Sequence, residues 1–289
     1  LSRFRSSLVL LASSGTLAAQ EEVLRSWTLP VDSIGTAYRM DVLPDVSGDG
    51  VPEILVADPM HDADGVVEAG IVLVLSGEAL DPPRILRRHA GTEEDEYFGS
   101  ALAAIGDVDG DGWRDYAAGT DSYQEAPRVL VFSGRDGNLL LEKPVESEVP
   151  YLLCDLGDVT GDGIDDCILG LEVHAGGSFE PLYALPLPGE DVYPMAVPLR
   201  GDVDGDGAPD LVYNLLNTSY TRSITYVFSG RTGALLHSRL VYGRGATHSL
   251  GSPGDIDGDG DPDFAEGNYL EPRIRYRDGT TGRLLGPPR

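Results

Sequence analysis

The stretch Asp107-Val-Asp-Gly-Asp-Gly-Trp-Arg-Asp115 decides how the rest of the chain is interpreted. It carries carboxylates at positions 1, 3, 5 and 9 of a nine-residue segment, and glycines at positions 4 and 6. Alternate residues of a tight turn can direct their oxygens to one point, and glycine permits the backbone conformations that such a turn requires. Ca²⁺ takes oxygen ligands at this kind of spacing. The segment therefore predicts a calcium-binding loop.

Four further segments of the chain align with this one. The five segments, called loops 1 to 5, are residues 45–53, 107–115, 158–166, 202–210 and 255–263. They follow one another at intervals of 62, 51, 44 and 53 residues. Such intervals are close to the period of propeller blades and longer than that of most helical solenoids.

Short apolar runs flank the loops in a constant order. One run precedes a loop, as in residues 98–105, and a second follows it, as in residues 54–57. A third run ends in Ser-Gly, as in residues 71–77, and a tight turn leads to a fourth, as in residues 139–141. Short β-rich runs separated by Gly, Asp and Asn predict hairpins, and four strands per repeat is the blade of a propeller.

These patterns predict an all-β chain. We expect a β-propeller of about five four-stranded blades over residues 20–289, with no second domain. Two arrangements stay open: the five repeats close into a ring, or they form an open or incomplete propeller arc. Closure is favoured because it removes exposed sheet edges.

The first residues have the pattern of an export signal. Arg3 and Arg5 precede the apolar residues 8–12, and small residues precede Gln20. This pattern predicts a signal peptide over residues 1–19, and a secreted or cell-surface protein. The apolar stretch is too short to cross a bilayer, so no transmembrane segment is expected.

The charge of the chain excludes some partners. Its formal net charge is −27, from 48 acidic and 21 basic residues. Nucleic acids and anionic membranes are bound by clustered Lys and Arg, so neither is expected as a partner. Since the carboxylates alternate with strand-like runs, the composition favours a metal-binding protein over a disordered acidic tail.

The loops and their flanks together resemble the FG-GAP (VCBS-like) repeats of the integrin α-chain β-propeller. The clearest match is residues 98–119, which read Phe-Gly-Ser-Ala before loop 2 and Tyr-Ala-Ala-Gly after it. The resemblance implies that each loop joins the two inner strands of a blade and holds a mainly structural Ca²⁺, up to five in all. By position, the implied ligands are Asp45, Ser47, Asp49, Glu53, Asp107, Asp109, Asp111, Asp115, Asp158, Thr160, Asp162, Asp166, Asp202, Asp204, Asp206, Asp210, Asp255, Asp257, Asp259 and Asp263.

Loops 1 and 3 depart from this pattern. Ser47 and Thr160 each replace a carboxylate, and Glu53 is one methylene longer than Asp. Because affinity for Ca²⁺ follows ligand charge and rigidity, these two loops are expected to bind more weakly. The loops are not EF-hands, which need a bidentate Glu at position 12 and flanking helices.

The resemblance to integrin α-chain repeats implies a recognition function. The sequence contains no Gly-x-Ser-x-Gly, no His-Glu-x-x-His and no phosphate-binding glycine loop, so we do not expect an enzyme. We expect a protein-interaction or cell-surface recognition scaffold that binds an extracellular protein or glycan. Two alternatives stay open: a calcium-dependent, lectin-like carbohydrate-binding module, and a propeller-based polysaccharide-active enzyme.

The two cysteines leave a further alternative open. Cys154 and Cys167 bracket loop 3 on strands expected to pair. An exported protein could join them in a cross-strand disulfide, or they could be two small buried apolar residues.

Overall fold

The computed structural model describes most of the chain. The described residues are 7–10, 25–28, 38–78, 82–122, 125–145, 152–186, 192–199, 201–217, 219, 221–242, 246–247, 249–268 and 273–286. They form β-strands and turns, with no helix among them. The all-β prediction is confirmed.

Five antiparallel sheets follow one another along the chain after a separate hairpin of β1 (Ser7–Leu10) and β2 (Arg25–Thr28). Blade 1 contains β3 (Arg39–Leu43), β4 (Glu53–Asp58), β5 (Ile71–Leu75) and β6 (Ile85–Ala90). Blade 2 contains β7 (Ala101–Ala104), β8 (Tyr116–Gly119), β9 (Arg128–Phe132) and β10 (Leu139–Pro144). Blade 3 contains β11 (Leu153–Gly157), β12 (Asp166–Leu169), β13 (Glu172–His174) and β14 (Pro181–Ala184).

The remaining two sheets complete the series. Blade 4 contains β15 (Val192–Pro198), β16 (Leu211–Asn217), β17 (Arg222–Phe228) and β18 (Leu235–Tyr242). Blade 5 contains β19 (Ser249–Gly254), β20 (Asp263–Asn268) and β21 (Arg273–Arg277). In every blade, strands that are neighbours in sequence are neighbours in the sheet, and the loop joins the first strand to the second.

The prediction of four strands per blade is confirmed in blades 1 to 4. In the described part of blade 5 there are three strands, and a single bridge between Arg277 and Leu284 occupies the place of the fourth. The closed ring and the open or incomplete arc both stay predictions.

The chain divides into two compact units. The first consists of residues 1–104 and 113–146, and the second of residues 105–112 and 147–289. The division falls within loop 2. The core of the first unit includes the buried side chains of Leu55, Val74 and Tyr116, and that of the second includes those of Tyr213 and Phe228.

The middle strands of a blade are buried on both faces. All residues of β4 and β5 are buried, whereas β6, the last strand of the same sheet, has only exposed and half-buried positions. This explains why the middle strands read as continuous apolar runs in the sequence.

Blades 1 and 2, both in the first unit, are joined through their first strands. Arg39 Nε donates to the carbonyl oxygen of Ser100 at 2.9 Å. The backbone N–H of Ala104 donates to Oδ2 of Asp41 at 2.9 Å. These side-chain bonds link two strands that do not belong to one sheet.

The N-terminal prediction lies mostly outside the described residues. Of residues 1–19, the structure describes Ser7–Leu10, which pairs with Arg25–Thr28. The signal peptide therefore stays a prediction. Within the described part of the chain, no helix is long and apolar enough to cross a bilayer.

The register of blade 3 separates the two cysteines. Cys154 lies opposite Ile168, and Cys167 lies opposite Asp155. Because successive residues of a strand point to opposite faces, this offset of one residue puts the two thiols on opposite sides of the sheet. No disulfide joins them, and Cys167 is a buried thiol.

His89 is enclosed between blades 1 and 2. Its ring stacks on Phe132 with 4.1 Å between centroids, and its Nε2 lies 2.6 Å from the hydroxyl of Tyr116. Burial, together with the charge of Arg87, lowers the pKa of His89 from 6.5 to about 4.

We expect this histidine to make the first unit sensitive to acid. The unfolded chain binds a proton at His89 near pH 6.5, and the folded chain binds it only near pH 4. The contribution of neutral His89 to the free energy of unfolding is therefore present above pH 6.5 and is lost as the pH falls towards 4, with a loss of about 2 kcal/mol between pH 7 and pH 5. Urea unfolding at pH 7 and pH 5 should show a smaller loss for His89→Phe than for the wild type. Equal losses of stability in the variant and the wild type would contradict this role of His89.

Candidate metal centres

The first aspartate of each loop is held by backbone amides of the same loop. In loop 1, the N–H groups of Gly48 and Asp49 donate to Oδ1 of Asp45 at 2.7 and 3.2 Å. The N–H of Gly50 donates to its Oδ2 at 2.7 Å. In loops 2, 3 and 4, the backbone N–H groups at positions 4, 5 and 6 donate in the same way to the first aspartate of their own loop, which is Asp107, Asp158 or Asp202. In loop 5, the donors at positions 4 and 6 bind Asp255.

These amide bonds change the acidity of the first aspartate. Desolvation acts to raise the pKa of Asp45, Asp158 and Asp202, but the donated N–H groups outweigh it and the pKa of each lies below 3.8. Each of these carboxylates is therefore ionised at neutral pH, as a Ca²⁺ ligand must be.

The ten glycines at loop positions 4 and 6 all have a left-handed backbone, with φ between 74° and 101°. A Cβ would meet no atom within 4 Å at nine of them, and at Gly207 it would meet only the end of Arg231, at 3.8 Å. Glycine is therefore required there by conformation and not by lack of space. This is the role that the sequence predicts for these residues.

The last acid of each loop is buried. Glu53, Asp115, Asp166, Asp210 and Asp263 are all 0–1% exposed. Asp210 accepts the N–H of Val203 at 2.6 Å, from its own loop, and the N–H of Gly230 at 2.9 Å, from the turn after β17. Asp166 likewise accepts the N–H of Val159, from its own loop, and the N–H of Gly176, from the turn after β13. The acid at position 9 thus ties the loop to the end of the third strand.

A glycine after the third strand makes this tie possible, and sequence reasoning missed its role. The five glycines are Gly77, Gly134, Gly176, Gly230 and Gly279. A Cβ on any of them would lie 1.8–2.0 Å from the carbonyl oxygen at loop position 8 of the same repeat. The recurrent Ser-Gly after three of the third strands was the available signal.

Of the loops that lie wholly within one unit, three bring carboxylate oxygens together within 4.8 Å of one another. The groups are Asp45, Asp49 and Glu53 in loop 1, Asp202, Asp204 and Asp206 in loop 4, and Asp255, Asp257 and Asp259 in loop 5. These oxygens are the hard ligands that Ca²⁺ prefers. Without a cation, three such carboxylates repel one another.

Loop 1 gives the clearest test of whether a cation fits. Oε2 of Glu53 accepts the N–H of Val46 at 2.8 Å, but its buried Oε1 has no hydrogen-bond partner. A buried carboxylate oxygen without a donor costs free energy. Since Asp45 and Asp49 each bring an oxygen within 4.8 Å of the Glu53 carboxylate, a Ca²⁺ bound by all three carboxylates would provide the missing partner. The residues therefore fit the ion.

Loop 2 falls on both sides of the division between the two units. In the second unit, Asp107 accepts its three amide bonds and Asp109 accepts the N–H of Asp111 at 3.1 Å. In the first unit, the buried Asp115 accepts the N–H of Gly134 at 2.9 Å. The local geometry of each part repeats that of the other loops.

Loop 3 does not bring its acids as close together as loops 1, 4 and 5 do. Asp158, Asp162 and Asp166 do not form a group of oxygens within 4.8 Å of one another, unlike the acids of loops 1, 4 and 5. The hydroxyl of Thr160 instead donates to Asp158 at 3.3 Å. Weaker binding at loops 1 and 3 stays a prediction.

Burial also raises the pKa of three of the acids at position 9. The carboxyls are those of Asp166, Asp210 and Asp263. For Asp210, burial and then the nearby Asp204 and Asp206 outweigh the bonds from Gly230 and Val203, and the pKa is about 6. A cation in the loop would remove this excess of negative charge.

Comparison with known proteins agrees with the repeat pattern. Residues 176–265 match the family model of the FG-GAP-like repeat. Integrin alpha-5 of Xenopus laevis is 37% identical over 197 residues, which cover 65% of this chain and 15% of that protein. This chain is an FG-GAP-repeat, integrin-α-like propeller. Integrin alpha-3 of Cricetulus griseus is 27% identical over 177 residues, or 51% of this FG-GAP chain and 17% of that protein. The chain thus spans about a sixth of the length of these relatives.

Solved structures share the fold. The rhamnogalacturonan lyase PL11 of Bacillus licheniformis has a TM-score of 0.51 and 16% identity, over 90% of the FG-GAP chain and 48% of the lyase. The Dos1 propeller has a TM-score of 0.50 and 11% identity, over 82% of this chain and 56% of that one. At such identities the likeness establishes the propeller fold alone.

Proposed function

We propose that this FG-GAP chain is a secreted or cell-surface, calcium-stabilised propeller that serves as a protein-interaction scaffold. The observation that supports the calcium sites most directly is the buried, unpartnered Oε1 of Glu53, whose carboxylate groups with those of Asp45 and Asp49. The likeness to integrin α chains supports an extracytoplasmic location and a protein partner. Ca²⁺ serves a structural role in this proposal.

The structural role follows from what each loop connects. Every loop joins the first two strands of a blade, and in blades 2, 3 and 4 its last acid also binds the turn after the third strand. Five Ca²⁺ ions would bring ten positive charges to a chain whose formal net charge is −27. An ion that binds the folded loops and not the unfolded chain stabilises the fold by mass action.

We expect the melting temperature in 5 mM Ca²⁺ to exceed that in chelator by about 15 °C or more. Each site held well above its dissociation constant adds about 2–3 kcal/mol, and about 2–4 °C follows from each kcal/mol in a chain of this size. Differential scanning calorimetry measures the shift. Mg²⁺, which demands a smaller octahedral site, should give a smaller shift. Equal melting temperatures in calcium and chelator would contradict the calcium role.

We propose that the binding surface lies at the ends of the strands opposite the calcium loops. In the first unit, the β4–β5 and β6–β7 connections, called the distal loops, are joined by backbone bonds from Asp95 N–H to Val67 and from Tyr97 N–H to Glu68, both 3.1 Å. The hydroxyl of Tyr97 also donates to Oε2 of Glu68 at 2.6 Å. These bonds fix the shape of the surface.

The distal loops also contain strained backbone. Asp64, Glu68, Asp95 and Tyr97 have φ between 48° and 58°, in the left-handed region that non-glycine residues rarely occupy. Such conformations cost free energy and cluster where a protein binds or reacts. This strain supports the distal loops of blades 1 and 2 as a recognition surface.

A binding experiment distinguishes the protein-interaction scaffold from the lectin-like alternative. The immobilised chain, in 5 mM Ca²⁺, is tested against a glycan array and against extracellular proteins of its source cells. The scaffold proposal predicts a protein partner whose binding is lost with Tyr97→Ala and kept with Tyr242→Ala, which changes an exposed tyrosine on β18 of blade 4. Selective glycan binding without a protein partner would replace the scaffold by the lectin.

A further inference from the structure

Loop 4 differs from a plain carboxylate loop because an arginine lies beside it. Arg231 belongs to the turn between β17 and β18, and its Nε lies 3.6 Å from Oδ1 of Asp206, the acid at position 5 of the loop. The hydroxyl of Ser229 donates to Oδ2 of the same carboxylate at 3.1 Å. Thr232 in turn donates to Ser229 at 3.0 Å. The turn therefore holds Asp206 by one charged and one polar group.

We propose that Arg231 is a built-in counter-ion of loop 4 that competes with Ca²⁺ for the Asp206 carboxylate. The inference rests on the proposed calcium function. A guanidinium stays charged at any physiological pH, so it repels a divalent ion bound to the same carboxylate group. The Arg231 side chain is 44% exposed, which leaves it room to swing into solvent when calcium binds.

Loop 5 provides the comparison within the same chain. Loop 5 has carboxylates at positions 1, 3, 5 and 9, as loop 4 has. Thr280 follows Gly279 as Arg231 follows Gly230, so a neutral residue occupies the matching place. Its hydroxyl donates at 2.8 Å to Asp261, at position 7, and not to the acid at position 5. The two loops thus share four ligand carboxylates, and loop 5 has a fifth acid in Asp261, so the smaller number of acids and Arg231 both make loop 4 the weaker. Only the change caused by substituting Arg231 isolates the effect of the arginine.

The size of the effect follows from Coulomb's law. A unit charge a few Å from a divalent ion in a solvent-exposed loop changes the dissociation constant by about three- to tenfold after screening by salt. A merely structural arginine would act in the opposite direction, since its loss would loosen the loop and weaken calcium binding. The sign of the change therefore separates the two roles.

The test is a calcium titration of the full chain followed by NMR, with the backbone amides of Gly207 in loop 4 and Gly260 in loop 5 as reporters in one sample. In the wild type, the Gly207 midpoint should lie at a higher calcium concentration than that of Gly260. Arg231→Gln should move the Gly207 midpoint to about three- to tenfold lower calcium and leave Gly260 unchanged. Arg231→Lys, which keeps the charge, should stay close to the wild type.

The control is Arg88→Ala, which removes an exposed arginine that pairs with Asp64 and lies outside loops 1 to 5. It should leave both midpoints unchanged. If both amides respond to calcium but Arg231→Gln leaves the Gly207 midpoint in place or raises it, the competition proposal is wrong and the calcium function stands. If neither amide responds at 10 mM calcium, the calcium function is wrong and the competition proposal falls with it.

Discussion

Gly134→Ala is expected to lower the free energy of unfolding by about 4 kcal/mol or more. A Cβ at this position would lie 1.9 Å from the carbonyl oxygen of Arg114. The obstacle is backbone, which cannot move aside as the end of a side chain can. To relieve the overlap, the turn after β9 must withdraw from loop 2, which breaks the bond from Gly134 N–H to the buried carboxylate of Asp115. Loss of packing and loss of a hydrogen bond to a buried carboxylate then add together.

Urea unfolding with calcium present measures this loss. Gly251→Ala is the matched control, because a Cβ on Gly251 would have its nearest neighbour at 4.0 Å, the Cβ of Ala265. That variant should change the stability by less than about 1 kcal/mol. Similar losses in the two variants would mean that the contact between this glycine and the loop carbonyl does not hold the blade together.

Asp210→Ala is expected to destabilise the chain by about 2–3 kcal/mol even in chelator. The variant leaves the N–H groups of Val203 and Gly230 buried without an acceptor. The raised pKa of Asp210, about 6, shows that its charge is itself costly when the loop holds no cation, and this limits the loss.

The matched variant Asp204→Ala tests whether Asp204 serves only as an expected calcium ligand, whereas Asp210 also holds the loop together. Asp204 accepts the N–H of Asp206 at 3.1 Å from an exposed position, so its removal should change the stability in chelator by less than about 1 kcal/mol. With calcium added, both variants should lose the stabilisation due to loop 4. Melting curves of both variants in calcium and in chelator give the four values needed. An Asp204→Ala variant as unstable in chelator as Asp210→Ala would contradict these separate roles.

The loops could be predicted from the sequence because their geometry is local. The carboxylate of Asp45 is held by the amides of residues 48–50, and the glycines that allow this are visible in the same nine residues. The strands of blade 1 could be predicted because its middle pair, β4 and β5, is buried on both faces and mostly apolar.

What the sequence could not reveal depends on contacts between distant residues. The tie between Asp210 and Gly230 spans 20 residues, and the glycine is essential only because the carbonyl of Pro209 lies against it. The separation of Cys154 and Cys167 depends on a register offset of one residue, which spacing alone does not specify. The charge of Arg231 beside loop 4 likewise appears only when the β17–β18 turn is folded.

The central claim is that the carboxylates of each loop hold an ion in the folded chain. Equilibrium dialysis against 5 mM calcium, followed by metal analysis of the retained protein, measures this directly, with the chain in 8 M urea as the reference. The account predicts about five ions per folded chain, the weakest of them in loops 1 and 3, and almost none in urea. A folded chain that retains no more calcium than the unfolded one would contradict it.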